Sequence, residues 1–367
     1  MKPYVPESLP PAGIDWEAHI PQIASANRAL ARYDGVLQAI PNPRLLLSPL
    51  LTQEAVLSSR IEGTQASLED VLRFEANPKE PIGDAALADI QEIINYREAL
   101  NTAVESLKTR RLDLALVCDL HRILLDGSRG MDRGPGCIRT IQNFIGRDAH
   151  IEHAIYVPPA PEDVPVALAD WEAYLEREEK DVLVQLSVLK AQFELIHPFC
   201  DGNGRIGRML VPLILYEKGL IGSPMFYISA FLERNRPAYY ERLLGVSQDG
   251  DWNGWIAFFL HAIEEQAGAN GRKAKAILDL YDEMKQTVPE VIRSQYAIAA
   301  IDALFKVPVF IPSEFYEQTG IPKKTANRLL QQLREQDIIT ALTEGGGRRA
   351  TTYVFSRLIA ITEGDRL

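Results

Sequence analysis

Two apolar runs with helical periodicity, separated by a glycine-rich polar loop, constrain the fold of this 367-residue chain most strongly. The first run, Val182 to Ile196, repeats apolar residues at helical spacing and is ended by Pro198. The second run, Ile206 to Glu217, resumes the same period. We therefore predict a helix, a polar loop and a second helix. Such a loop points backbone N–H groups outward where the dipole of the second helix favours an anion, and phosphate is the natural ligand.

The residue types in the loop suit a phosphate group. Gly202, Gly204 and Gly207 permit close approach of the backbone and positive φ angles. Arg205 and Arg208 can each donate two parallel hydrogen bonds to phosphate oxygens. The loop therefore combines backbone donors with two guanidinium groups.

Two further residues of the loop point to group-transfer chemistry. Asp201 can hold the magnesium ion that accompanies nucleotide phosphates. His197 lies beside the predicted anion site, where a neutral imidazole can take a proton from a hydroxyl group. The residues themselves therefore predict a phosphate, a magnesium ion and a base.

The stretch from His197 to Arg208 resembles the Fic family signature, His-Pro-Phe-x-Asp-Gly-Asn-Gly-Arg-x-x-Arg, and matches every specified position. The resemblance implies a mainly α fold, a Fic-type helical bundle with a β-hairpin flap. It also implies transfer of AMP from ATP to a Ser, Thr or Tyr hydroxyl of a target protein, and to the enzyme itself.

Roles for the signature residues follow from the same resemblance. His197 would deprotonate the hydroxyl and Asp201 would hold Mg²⁺ on the phosphates. The N–H groups from Gly202 to Gly204, with the amide of Asn203, would stabilise charge on the α-phosphate. The arginines described above would anchor the β- and γ-phosphates. Fic relatives can also use UTP, GTP or CDP-choline, so the nucleotide stays open.

A second motif lies far upstream, at Ser58, Glu62 and Gly63, and resembles the Fic inhibitory motif Ser/Thr-x-x-x-Glu-Gly/Asn. The resemblance implies that Glu62 pairs with Arg208 and removes the guanidinium that should hold the ATP γ-phosphate. ATP would then bind in an unproductive pose. Two alternatives stay open: an ordinary helix C-terminus, and a hydrolase that removes AMP with Glu62 as the base that activates water.

The nucleotide pocket is predicted downstream of the signature. By the family resemblance, Asn235 and either Tyr239 or Tyr240 would contact adenine and ribose. The alternative is that these aromatic side chains belong to the core, where aromatic residues at helical spacing usually lie.

A β-hairpin is predicted where the helical pattern breaks, with β-forming pieces at 138–145 and 154–157. The spacing of Gly136, Arg139, Gln142, Asn143, Ile145, Gly146 and Tyr156 to Pro159 resembles the Fic flap. That flap would hold the target segment by strand addition, with predicted docking residues Ile141, Gln142, Asn143, Tyr156 and Val157. A solvent-facing hairpin without substrate contact is the alternative. His150 and His153 lie on the hairpin without a third ligand, so we predict no metal site there.

The chain is predicted to contain three consecutive regions. Residues 1–100 form an N-terminal arm and inhibitory helical region, 101–275 the Fic catalytic core, and 276–367 a connector helix and a small winged-helix domain. The proline-rich arm is predicted to pack over the body, with one short helix from Trp16 to Tyr33 that Pro21 can enter only in its first turn. The connector helix is predicted over residues 263–288, and His121 is predicted as a buried helix residue.

The C-terminal region resembles a winged helix-turn-helix. A helix from Ser313 to Thr319, a turn at Gly320 and a helix from Lys323 to Gln336 precede two strand-like runs. Residues 323–349 hold six basic and three acidic side chains. DNA binding is one prediction for this region; contact with proteins, including a second copy of the chain as a homodimer, is the other.

Composition limits the remaining classes. The net charge of -11 and the isoelectric point near 5.2 argue against a protein whose whole surface binds nucleic acid. No apolar stretch approaches the roughly 18 residues of a membrane span and the start lacks the apolar core of a signal peptide, so we predict a soluble cytoplasmic protein. Cys118, Cys137 and Cys200 are predicted to be reduced structural thiols.

Overall fold

The computed structural model describes residues 2–146, 150–346 and 350–364. The described residues are mainly helical, which confirms the predicted fold class. The helices are α1 (Trp16–Ala39), α2 (Pro43–Leu46), α3 (Ser48–Ile61), α4 (Leu68–Ala76), α5 (Asp84–Ser106), α6 (Leu114–Leu125), α7 (Val164–Glu176), α8 (Val182–Ile196), α9 (Asn203–Glu217), α10 (Ser229–Arg234), α11 (Arg236–Asp249), α12 (Trp252–Ile292), α13 (Ala297–Lys306), α14 (Pro312–Thr319), α15 (Lys323–Glu335) and α16 (Ser356–Glu363). The strands are β1 (Ile145–Gly146), β2 (Ala154–Tyr156), β3 (Val309–Phe310), β4 (Thr340–Thr343) and β5 (Thr352–Val354).

The chain divides into two compact units whose segments alternate along the sequence. The first contains residues up to Gly35, Leu57–Gly63 and Asn95–Gly268. The second contains Val36–Val56, Thr64–Ile94 and the residues from Ala269 onward. The division into residues 1–100, 101–275 and 276–367 stays a prediction.

The first unit is organised around α8. This helix packs against α7, α9 and α11, and every residue from Leu183 to Ile196 is buried. A helix that is apolar on most of its surface needs neighbours on all sides. The tryptophans of two neighbouring helices donate to its backbone, from Trp171 Nε1 to the Leu189 carbonyl at 2.8 Å and from Trp255 Nε1 to the Ser187 carbonyl at 2.7 Å. The end of α8 is therefore a rigid support for whatever follows it.

The N-terminal arm packs on the first unit, as predicted. The Tyr4 N–H donates to the Val157 carbonyl at 2.9 Å, and the Leu9 N–H donates to Asp170 Oδ2 at 2.8 Å. Val157 follows β2 directly, so the arm bonds the chain next to the flap strand.

The second unit contains the C-terminal helices and a three-stranded antiparallel sheet in the order β3-β5-β4. In it α4 packs on β3, and α13 packs on α2 and α14. Ser67 and Asp70 form a capping box at the start of α4, and the Asp70 N–H donates to Ser67 Oγ at 3.2 Å. The predicted helix-turn-helix is present as α14 and α15 with Gly320 in the left-handed region at φ 65°. The winged-helix assignment itself stays a prediction, and Arg348 and Arg349 lie outside the described residues.

Several predicted boundaries are wrong. Pro21 lies in the second turn of α1, which continues to Ala39, because surrounding packing stabilises a helix that lacks one backbone donor. The loop after Pro198 is shorter than predicted, since α9 begins at Asn203. The connector is part of a single 41-residue helix, α12.

The hairpin is also smaller than predicted, because only Ile145–Gly146 pairs with Ala154–Tyr156. Residues 138–144 are not a strand, since their polar groups bind the chain around α8 instead. For example, the Arg139 N–H donates to the Pro198 carbonyl at 2.9 Å.

No helix within the described residues is long and apolar enough to cross a membrane.

Candidate functional site

His197 stands directly after the buried helix α8 in an unusual backbone conformation. Its φ of 50° and ψ of 61° lie in the left-handed region, which costs a residue other than glycine about 1–3 kcal/mol. The His197 Nδ1–H donates to the Glu194 carbonyl at 3.2 Å, an assignment made from the acceptor type of its partner. The lone pair of Nε2 is therefore available to accept a proton.

The pKa of His197 favours the neutral imidazole. Burial lowers this pKa below its usual value, the carboxylates of Glu194 and Glu62 oppose the shift, and Arg139 adds to it. A neutral histidine with an unshared electron pair is the form that acts as a general base.

The loop between α8 and α9 is closed by its own side chains. Gly202 has a φ of 77° at the start of α9, a conformation that favours glycine. Asn203 accepts from the Phe199 N–H and donates to the Phe199 carbonyl, both at 2.8 Å. The structure therefore commits the Asn203 amide to the loop backbone, and the start of α9 is left with backbone N–H groups of the kind that can bind an anion.

Asp201 presents a half-exposed carboxylate beside this loop. Its side chain is 43% exposed, and Oδ1 accepts from the Gly202 N–H at 2.6 Å and from Arg205 Nη2 at 3.5 Å. Arg205 itself is buried. The remaining oxygen of Asp201 lies toward Gly130, where a Cβ would come within 2.9 Å of it.

His121 holds the same loop from α6, where it is buried as predicted. Its Nε2–H donates to the Asp201 carbonyl at 2.9 Å, while Nδ1 accepts from the Gly136 N–H at 2.9 Å. The ring stacks on Phe199 with centroids 3.7 Å apart. Burial lowers the pKa of His121 to about 4, so the ring is neutral and supports the loop without a charge.

The predicted pairing of Glu62 with Arg208 is present. Arg208 Nη2 donates to Glu62 Oε1 at 2.6 Å and to the Ser58 carbonyl at 2.8 Å, and Nε donates to Ser58 Oγ at 2.9 Å. Arg208 is 1% exposed. Burial opposes ionisation of Glu62, but the guanidinium of Arg208 outweighs it and holds the pKa of Glu62 below its usual value. Gly63, the last residue of the motif, has a φ of 108° and turns the chain away after Glu62.

Two glycines of the signature are required by this packing. A Cβ on Gly204 would overlap Glu62 Oε1, so this glycine admits the carboxylate. A Cβ on Gly207 would overlap Glu194 Oε1 and lie 3.2 Å from Lys190 Nζ. The structure thus places Gly207 against a buried ion pair rather than in the loop.

That ion pair is a feature that the sequence reasoning missed. Lys190 is 1% exposed and bonds the Glu194 carboxylate one helical turn away, and its Nζ also donates to Tyr239 Oη at 3.0 Å. Burial lowers the pKa of Lys190 and raises that of Tyr239 well above its usual value. The i, i+4 spacing of a lysine and a glutamate on the apolar helix before His197 was a signal that could have identified it.

A cavity of about 570 Å³ joins these groups. Its lining combines signature and inhibitory residues with the flap and α11: Glu62, Ile145, Gly146, Ile155, Tyr156, Glu194, Leu195, His197, Gly204, Arg208, Arg236, Tyr239, Tyr240, Glu241, Leu243, Leu244 and Ser247. The apolar side chains of α11 and the two tyrosines form a wall suited to a flat ring, and Arg236 adds a cation that sequence reasoning did not consider. Asn235 is not part of this lining, and its amide donates to the Phe231 carbonyl at 2.9 Å.

The five predicted docking residues of the flap face different ways. Gln142 donates to the Pro158 carbonyl at 3.0 Å, and Asn143 donates to the Phe199 carbonyl at 3.1 Å. Tyr156 donates to the Leu195 carbonyl at 2.6 Å, and Val157 is 2% exposed. Asn143 and Tyr156 therefore fasten the flap to the loop and to α8, Gln142 joins the two sides of the flap, and Val157 is buried, whereas Ile141 is 63% exposed.

Three exposed isoleucines of the flap were not predicted as contacts. Ile145 and Ile155 are 43% and 44% exposed and line the cavity, and Ile151 lies between the strands at 40% exposure. Their exposure follows from the short pairing between β1 and β2, which the sequence does not specify.

Comparison with known proteins gives consistent matches. The Fic/DOC family N-terminal model matches residues 20–105, and the Fic/DOC family model matches residues 111–215. The chain is 27% identical over 218 residues to the protein adenylyltransferase Fic of Nematostella vectensis, covering 58% of this chain and 47% of that protein. It is 28% identical over 198 residues to a probable protein adenylyltransferase of Aquifex aeolicus, covering 52% of this chain and 57% of that protein. The chain thus spans about half the length of the curated relatives it matches.

Solved structures support the same fold. A Fic family protein from Desulfovibrio desulfuricans aligns with a TM-score of 0.58 at 21% identity, covering 97% of this chain and 98% of that chain. Fic-1 from C. elegans aligns with a TM-score of 0.55 at 22% identity, covering 71% of this chain and 72% of that chain. The two family models together cover just over half of the sequence, and the resemblance of the His197 to Arg208 stretch is confirmed. The chain belongs to the Fic/DOC family.

Proposed function

We propose that this chain transfers AMP from ATP to a Ser, Thr or Tyr hydroxyl of a protein, including itself, and that Glu62 keeps it inactive. The observation that carries the proposal is the shared cavity. The cavity contains His197, which is neutral and has its Nε2 free to accept a proton, and Arg208, which is paired with the displaceable carboxylate of Glu62. An apolar wall completes the cavity. The names of the curated relatives support the same reaction.

In the proposed reaction the protein moves one proton and positions charge. His197 Nε2 would take the proton of the acceptor hydroxyl, whose oxygen attacks the α-phosphorus in line with the departing pyrophosphate. The N–H groups at the start of α9 would stabilise charge on the α-phosphate, since they point at the anion without reorganisation. Arg208, once released by Glu62, would bind the γ-phosphate.

A magnesium ion is implied by the family resemblance, and Asp201 fits it. Mg²⁺ keeps several waters and is commonly held by one or two carboxylates together with the phosphates of its substrate. Within the described ranges no three His, Cys, Asp or Glu side chains form a metal site of their own. Asp201 would therefore hold an ion delivered with ATP, and that ion would neutralise phosphate charge.

Intact-mass analysis tests the proposal. After incubation with ATP and Mg²⁺, the Glu62→Gly protein should gain the mass of one or more AMP groups, and the Glu62→Gly/His197→Ala protein should gain none. Incubation with UTP, GTP and CDP-choline in parallel identifies the donor. Equal labelling with and without His197 would refute its role as the base.

Removal of AMP is a second candidate, because Glu62 and His197 line one cavity. In that reaction Glu62 would accept a proton from the attacking water. Protein modified by the Glu62→Gly variant would be incubated with the wild type and, separately, with fresh Glu62→Gly variant. Loss of AMP only with the wild type supports hydrolysis, and equal loss excludes Glu62 as its base.

DNA binding by the second unit is a third candidate. Lys323, Lys324 and Arg328 are exposed on α15, and the first two stand in its first turn, where the helix dipole disfavours cations. A polyanion would offset this unfavourable placement. A mobility shift of genomic fragments should weaken with salt and disappear when these three residues are neutralised.

A matched control neutralises three other lysines of the second unit, Lys79, Lys275 and Lys285. An equal loss in the control would show that only net charge matters. No shift at low salt would remove the DNA-binding proposal.

A further inference from the structure

Arg139 is a buried cation that the reaction described above does not use. Its side chain is 3% exposed, and its partners in the described part of the chain are carbonyl oxygens rather than a carboxylate. Nε donates to the His197 carbonyl at 2.9 Å, and Nη2 donates to the Ile196 carbonyl at 3.3 Å. Nη1 donates to the Ile141 carbonyl at 3.2 Å, and Nη2 also donates to the Pro159 carbonyl at 2.6 Å.

The end of α8 supplies the compensating negative charge. Burying a cation is costly unless it is paired, and burial lowers the pKa of Arg139 below its usual value. The last carbonyls of a helix carry the negative end of its dipole and have no partner within the helix. Ile196 and His197 provide these carbonyls, so Arg139 caps α8 at the residue that precedes the loop.

The same guanidinium connects this helix end to both ends of the flap. Ile141 precedes β1 and Pro159 follows β2, and both carbonyls accept from Arg139. Its backbone N–H also donates to the Pro198 carbonyl, next to His197. A planar fork with fixed donor directions can hold these groups at once, which a lysine cannot.

We propose that Arg139 is a positioning residue for the catalytic base: it holds the left-handed backbone of His197 through its carbonyl, and it joins that geometry to the flap. This inference rests on the proposed role of His197. It assigns a function to Arg139 beyond stability, because the residue it holds adopts a conformation that is otherwise unfavourable.

The charges around His197 give the proposal a measurable signature. The groups that act on the pKa of His197 are Glu194 on α8 and Glu62 after α3, which raise it, and Arg139, which lowers it together with the dominant effect of burial. Removing the positive charge of Arg139 should therefore raise the pKa of His197. A base must be neutral to act, so the acid limb of the pH–rate profile should move to higher pH.

Two variants separate charge from geometry, both made in the full-length Glu62→Gly protein. Arg139→Met removes charge and hydrogen bonds, while Arg139→Lys keeps the charge but cannot bind four carbonyls. Both should lower kcat for AMP transfer at saturating ATP by roughly 100-fold, the effect of displacing a reacting group by about 1 Å. Only Arg139→Met should move the acid limb. ATP binding measured by calorimetry should be unchanged in both.

The matched control is Gln142→Leu, which loosens the flap at Pro158 without contacting His197. Its acid limb should stay where it is in the parent. If Arg139→Met does not fold, Arg139→Lys still decides, because full kcat in this variant would overturn the proposal. An unmoved acid limb in folded Arg139→Met would also overturn it.

A measurement independent of activity separates this inference from the proposed function. The pKa of His197 can be followed by NMR of histidine-labelled protein, with its signal assigned by loss in His197→Gln. It should rise in Arg139→Met and stay constant in Arg139→Lys. If the parent transfers no AMP, the proposed function fails while this titration still tests Arg139. An identical His197 pKa in the parent, Arg139→Met and Arg139→Lys proteins would refute this inference but not the proposed function.

Discussion

Replacing Glu62 should raise the fraction of molecules in which Arg208 is free, by an amount that can be calculated from the contact between the two side chains. A hydrogen bond between charged groups contributes about 1.5–3 kcal/mol net. The side chain of Glu62 is 36% exposed and its pair is therefore partly screened, so we take the lower end, about 1.5 kcal/mol. Since about 1.4 kcal/mol corresponds to a factor of ten, Glu62→Gly should raise the fraction of molecules with a free Arg208 roughly tenfold.

The assay is the initial rate of AMP incorporation at subsaturating ATP. We expect a rate about ten times that of the wild type for Glu62→Gly and an intermediate rate for Glu62→Gln, which keeps length but loses the charge. Ser58→Ala serves as a second control, because it removes the acceptor of Arg208 Nε but leaves the carboxylate. Its effect should be smaller than that of Glu62→Gly.

The pH dependence of the inhibition follows from the direction of the pKa shift. The pKa of Glu62 is lowered in the paired state, so the pairing is fully present above the ordinary carboxyl pKa and weakens only as the pH falls through the lowered one. The ratio of the two rates should therefore be constant between about pH 6 and 8. Equal rates for wild type and Glu62→Gly, or a ratio that changes steeply in this range, would refute the inhibitory role assigned to the pair.

Three further predictions concern the base and the ion pair below it. His197→Ala in the Glu62→Gly protein should abolish AMP transfer but retain ATP binding by calorimetry; loss of both would point to a structural role. Lys190→Met should lower the free energy of unfolding in urea by about 3–5 kcal/mol, because it leaves Glu194 buried and unpaired, and adding Glu194→Gln should recover most of that loss. If the double variant is no more stable than the single one, charge compensation is not the reason. Gly207→Ala should lower the free energy of unfolding in urea by about 1–3 kcal/mol, because the new Cβ would overlap Glu194. Gly35→Ala in α1, with no atom within 4 Å of the new Cβ, should be neutral or stabilising in the same measurement.

Local pattern predicted the two helices that carry the candidate site. The period of apolar residues predicted α8 within its observed bounds and a second helix after the polar loop, which is α9. The glycines with His197 and Asp201 predicted a phosphate loop before any family was considered, and that role stays a prediction. Such features depend on residues three or four positions apart, whose contacts are dictated by helix geometry. The pairing of Glu62 with Arg208 came from resemblance, since 146 residues separate them.

The tertiary structure alone decided which polar side chains form hydrogen bonds within the protein. Gln142 and Asn143 were predicted to meet a target, yet they bind carbonyls of their own chain. Arg139 looked like one flap residue among several and instead holds the end of α8. A buried donor must find an acceptor wherever the fold places one, and the acceptors here lie about 15 to 60 residues away along the chain. Sequence by itself therefore determined the two helices and the residue types of the loop between them, while the orientation of His197 was decided by long-range hydrogen bonds that no local period encodes.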